Sequence, residues 1–282
     1  MRMQSDYKPF STSISRWIVI LLLLTLAVVT LCYALIGDLA NYIYFVGMLF
    51  IIIILRRARR ISLTLLIGTL PASYSWLGIL IIALVLLSYA SGAIILVVYP
   101  LMMIDAELVS EFLVQPFDNT PVHAFVMTVL LAPVLEEIVF RGLLFTRMAA
   151  KWGITTGVIV SSLLFGILHF EFLVGAFVIG VVVCVIYVRS KTLLIPMAIH
   201  GVYNLLIWLI TVLSQGQELA LSNGIAEGYV YQGLVAVMIS SPVIFLLLGR
   251  WWPKGGSLLP YELNARGLRS QKHGELASDS TI

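Results

Sequence analysis

The chain has 282 residues, of which 61% are hydrophobic and only 11% charged, against roughly 25% charged in soluble domains. That composition excludes an ordinary soluble domain and points to a polytopic α-helical membrane protein. The formal net charge of +3 carries no signal of nucleic-acid affinity, because the basic residues are distributed as topology markers.

Apolar runs of about 20 residues suit a membrane-spanning helix. Eight are predicted, at residues 17–36, 39–55, 76–99, 121–145, 153–170, 172–188, 192–213 and 229–249. The first follows Arg16 but is longer than a signal-peptide core of roughly 7–15 residues, with no clear cleavage site after it. It is read as a retained helix. Segment 61–70 is too short to span and is read as interfacial. From about Pro253 the chain turns polar, and this tail is expected to be disordered. Cys32 and Cys184 lie within apolar runs without CxxC or ligand-like spacing, so they read as packing residues.

Charge orients the spans. Lys and Arg fall at the N-terminus, in "RRARR" at 56–60, around Arg141, Arg147 and Lys151, at Arg189 and Lys191, and in the C-terminal tail. Asp38, Asp105, Glu107, Glu111, Asp118, Glu171, Glu218 and Glu227 occupy the alternate loops. This is the positive-inside pattern and predicts that both termini face the cytoplasm.

Three polar clusters interrupt the apolar spans. "LAPVLEEIVFRG", residues 131–142, holds Glu136, Glu137 and Arg141, and a charge at the bilayer centre costs roughly 2.5–3.5 kcal/mol on insertion scales. Glu137 and Arg141 are spaced i, i+4 on one helix face, whereas Glu136 is turned about 100° away. A salt bridge explains the pair and leaves Glu136 without a reason. "FGILH" brings His169, and "HGVYN" brings His200 and Asn204 one turn apart. Alone, each could be packing or polar glue between helices. Together they supply a free carboxylate, two imidazoles and an amide, with no nucleophile elbow. A carboxylate with a histidine can activate water, and a histidine with an amide can stabilise an oxyanion. Hydrolysis of an acyl bond, most naturally a peptide, fits this set.

"EEIVFR", "FGILH" and "HGVYN", in that order on separate spans, resemble the motif series of the CPBP family. That family comprises the CAAX prenyl endoproteases and the bacteriocin-processing or immunity (Abi) proteins. The resemblance covers about residues 116–213. It implies that Glu136 and His169 activate water, that His200 and Asn204 form the oxyanion site, and that Glu137 and Arg141 hold the first motif in place. It leaves residues 1–115 as accessory helices, 214–252 as a final span and 253–282 as the polar tail. A membrane-associated peptide substrate and a multi-pass protein of the cell membrane, in contact with its lipids, are implied as well.

One difficulty concerns depth. Counted from Trp152, His169 lies about 25 Å along its helix, far from Glu136 if that helix stands upright. A tilted or recessed hairpin over the fifth and sixth spans is therefore expected. Zinc is the competing mechanism: Glu136, His169 and His200 would be its ligands, with one position open for water. H-E-x-x-H is absent and asparagine is an unusual zinc ligand, so metal-free activation is favoured. Intramembrane Glu, Arg and His also suit an ion-coupled transporter, and a non-catalytic immunity or scaffold protein could keep the same fold.

Overall fold

The computed structural model describes residues 38–59, 61–104, 121–169, 172–214 and 223–267, all helix and connecting turns without a strand. The chain runs through α1 (Asp38–Arg59), α2 (Leu63–Ile67), α3 (Trp76–Ile104) and α4 (Pro121–Trp152). It continues through α5 (Ile154–Leu168), α6 (Leu173–Ser190), α7 (Leu194–Ser214) and α8 (Asn223–Trp251), then a short helix α9 at 260–267. Among the described residues, α3, α4, α6, α7 and α8 are long and apolar enough to cross a membrane, while α5 and the apolar part of α1 (Tyr42–Ile53) are shorter. The protein is a multi-pass, all-helical membrane protein. The expected first span at 17–36, the acidic loop at 105–118 and the tail beyond 267 lie outside the described residues.

The helices pack through small residues, as lipid-embedded helices do when backbones must approach closely. A Cβ on Gly180 would stand 2.9 Å from the Ser162 Cβ, which fixes the approach of α6 to α5. One on Gly92 would meet the Gly233 carbonyl at 2.6 Å, where α3 meets α8. The core lies around the second half of α4, whose residues Ile138, Val139, Phe140, Leu143, Leu144 and Phe145 are all buried.

α4 is not a uniform α-helix. Phe125–Leu131 and Glu137–Phe145 are wide π-type turns on either side of a short α-helical piece, Ala132–Glu136. Such turns advance each residue by less than the α-helical step and tend to occur at functional sites. The Thr146 hydroxyl donates to the Arg141 carbonyl, five residues back, at 3.2 Å.

Two expectations need correction. Segment 61–70 is not merely interfacial: Ile61 and Leu66 are buried against the core. The reason is that the carbonyls ending α2 find partners in the protein rather than in water. Leu66 O accepts from the Tyr187 hydroxyl at 3.0 Å, and Ile67 O accepts from Thr192 Oγ1 at 2.7 Å and Leu193 N at 2.8 Å. Nor is residues 253–267 a disordered tail. Leu259, Tyr261 and Ala265 are buried, and the Asn264 amide donates to both Leu65 O at 2.9 Å and Lys191 O at 3.0 Å. A few apolar anchors and one side chain capping two carbonyls hold a segment whose overall composition is polar.

Candidate active site

The three polar clusters meet. Glu136 closes the α-helical piece of α4 and Glu137 opens the wide turn after it; both are buried, as is Arg141. Arg141 Nη1 donates to Glu137 Oε1 at 2.9 Å, the expected i, i+4 pair. The same oxygen takes the His200 Nδ1 proton, also at 2.9 Å. Glu137 therefore holds the histidine of α7 as well as the arginine of its own helix. The Arg141 guanidinium stacks 4.3 Å from the centroid of the Phe165 ring, a cation–π contact that suits a charge away from water.

Phe165 is the hub that sequence reading passed over as a motif letter. Its ring lies 4.3 Å from the His169 ring, and it makes edge contacts with His200 at 6.0 Å and Phe140 at 5.1 Å. Its carbonyl accepts from His169 Nδ1 at 2.8 Å. α5 ends at this point, with its last residue Leu168 just before His169. Fifteen residues give a helix of about 22 Å, less than the roughly 30 Å hydrocarbon thickness. Glu136 lies 17 residues before the Gly153 turn and His169 16 residues after it, so the antiparallel α4 and α5 carry both to the same level, 3.7 Å apart.

Hydrogen bonding sets the histidine tautomers. A backbone carbonyl and a carboxylate paired with arginine can only accept, so His169 and His200 each carry a proton on Nδ1. Their Nε2 atoms face Glu136 Oε2, at 3.7 Å and 3.9 Å. Glu136 Oε2 has no hydrogen bond among the described residues. Glu136 Oε2 and the two Nε2 atoms thus converge on one small space. His169 is the more open of the two rings, with a side chain 31% accessible against 6% for His200.

Asn204 lies one turn beyond His200 on α7. Its amide donates to the Thr128 carbonyl at 2.7 Å, inside the first wide turn of α4, and keeps its second N–H for another acceptor. Away from the site, Tyr42 Oη and His123 Nε2 are 2.6 Å apart, joining α1 to the start of α4. Cys184 is buried, with Ser161 Oγ at 3.5 Å, while Cys32 and His273 lie outside the described residues.

Zinc can be tested on these distances. Ligands at 2.0–2.1 Å around a tetrahedral ion sit roughly 3.3 Å apart, and the separations here are wider. Among the described residues no three His, Cys, Asp or Glu side chains are arranged to hold a metal ion.

Residues 118–206 match the family model described as Type II CAAX prenyl endopeptidase Rce1-like. Over this segment, about a third of the chain, the sequence is similar to that family. No curated protein and no solved structure matches it. The matched segment contains all six candidate residues, Glu136, Glu137, Arg141, His169, His200 and Asn204. One side chain that reaches the site from outside the match, Tyr44 of α1, donates to Glu136 Oε1 at 3.2 Å. It stands in an apolar run with no motif around it, so sequence reading had no signal for it.

Proposed function

We propose that the protein is an intramembrane endopeptidase that cleaves a membrane-associated peptide with water activated by Glu136 and His169. The observation that carries this reading is the convergence of Glu136 Oε2, His169 Nε2 and His200 Nε2 on one small space. A water molecule held there would donate to the carboxylate and to an imidazole nitrogen that carries no proton.

In the reaction, the water gives a proton to Glu136 as its oxygen forms a bond to the scissile carbonyl carbon, whose π electrons move onto oxygen. His169 accepts the second O–H and aims the lone pair. His200 is held at Nδ1 by the Glu137 carboxylate. When it also carries a proton on Nε2, that N–H donates to the oxyanion, with the remaining Asn204 N–H as a second donor. The C–N bond then breaks, and the proton held by Glu136 passes to the leaving amine.

Comparison of membrane fractions from cells with the wild type and with Glu136→Gln identifies the substrate and tests the reading together. General-base catalysis contributes roughly 10²–10⁴-fold, so the variant should fold normally and lose turnover by about that factor. Strong chelators should leave the wild type active. Unchanged cleavage by a folded Glu136→Gln would overturn the assignment. Loss of activity on chelation, restored by added zinc, would overturn the metal-free mechanism alone.

A further inference from the structure

Glu136 uses its two oxygens differently. Oε2 faces the imidazoles, while Oε1 accepts from the Tyr44 hydroxyl at 3.2 Å. Tyr44 stands 92 positions upstream and outside the segment that matches the family. Its placement follows from how α1 is seated. Tyr44, Met48 and Ile52 are spaced i, i+4, i+8 on one helix face. Met48 and Ile52 are buried, and Tyr44 packs partly buried against the same core. Val46 and Phe50, on the other side of α1, are more than 60% exposed. The buried stripe fixes the rotation of α1 about its axis, and that rotation aims Tyr44 at the carboxylate.

We infer that Tyr44 is a positioning residue for Glu136: its hydroxyl occupies Oε1 and so commits Oε2 to the water. The last torsion of a glutamate side chain is broad and roughly two-fold, so packing alone sets the carboxylate plane loosely. A donor on one oxygen sets it. The other groups around the carboxylate are His169 from α5, His200 from α7, and Glu137 with Arg141 on α4 itself. The histidines face Oε2 and Arg141 Nη1 is engaged with Glu137, so the donor on Oε1 is Tyr44. On this view α1 is part of the catalytic unit and not an accessory helix. The inference rests on Glu136 being the base.

The test uses the full-length chain in liposomes, with the peptide identified by comparing membrane fractions. Tyr44→Phe removes one O–H and keeps the ring. The lost hydrogen bond is to a charged group but is long, so kcat should fall about tenfold. KM should stay within about twofold, and the melting temperature should barely move, because packing is retained. A purely structural role would lower the folded fraction without changing turnover per folded molecule. In a Glu136→Gln background, Tyr44→Phe should cost little more, because the two residues act as one unit. Wild-type kcat in Tyr44→Phe, or a full additional loss in the double variant, overturns the inference while the peptidase reading stands. A wild type that cleaves no membrane peptide overturns both.

Discussion

His200 is joined to Glu137 directly: Nδ1 of the imidazole and Oε1 of the carboxylate are 2.9 Å apart, and neither side chain is more than 6% accessible. The ring therefore spans the two adjacent glutamates, bonded to Glu137 through one nitrogen and facing Glu136 with the other. A strict α-helical step would turn the two carboxylates about 100° apart. The change to a wide turn between them accompanies a geometry in which both serve one histidine.

Glu137→Gln should for that reason cost stability and turnover together. The amide still offers an oxygen, but it no longer neutralises Arg141 or gives His200 a charged acceptor. Breaking a buried pair costs on the order of 3–5 kcal/mol, which should appear as a large drop in detergent melting temperature. Turnover per folded molecule should fall at least about tenfold, because His200 loses the partner that fixes its tautomer and orientation. Melting and cleavage measured on the same samples decide it. A variant with full turnover per folded molecule would reduce Glu137 to a brace for Arg141.

Much of this was legible in the sequence. Hydropathy placed the five long apolar helices among the described residues, and polar groups at intramembrane positions singled out six residues, three within α4, one just past the end of α5 and two within α7. What stayed hidden depends on contacts between distant segments. Hydropathy carries no signal for i→i+5 hydrogen bonding, so an α-helical period kept Glu136 and Glu137 apart. Tyr44 looks like any aromatic residue in a lipid-facing run until the rotation of α1 is known. The polar composition of residues 253–267 suggested disorder, because three apolar anchors are too few to outweigh it. Their effect arises from what they cover.

Orientation in the membrane rests on the distribution of Lys and Arg, and labelling tests it. With Cys32 and Cys184 replaced by alanine, Asn119→Cys should react with a membrane-impermeant thiol reagent in intact cells. Arg59→Cys should react only after the cells are opened. The stretch 56–60, at the C-terminal end of α1, carries four arginines, which is the strongest single cytoplasmic signal in the chain. The reverse labelling pattern would invert the topology.

The last prediction concerns the segment after α8. Asn264 donates from one amide nitrogen to two carbonyls, Leu65 O and Lys191 O, and so ties α9 to the end of α2 and to the α6–α7 turn. Gly68 closes the same junction with φ of 70°, where a Cβ would stand 2.4 Å from Lys191 O. Asn264→Ala should lower stability by roughly 1–2 kcal/mol, since it leaves one partly buried and one exposed carbonyl without their donor. Asn264→Asp is nearly isosteric, yet it should cost at least as much, because a carboxylate facing two carbonyl oxygens repels them. Gly68→Ala should cost more than either, combining a strained backbone with a backbone clash. Apparent melting temperatures in one detergent rank the three. If Asn264→Asp melts like the wild type, the two amide hydrogen bonds do not hold the segment, and its buried Leu259 and Tyr261 must do so alone.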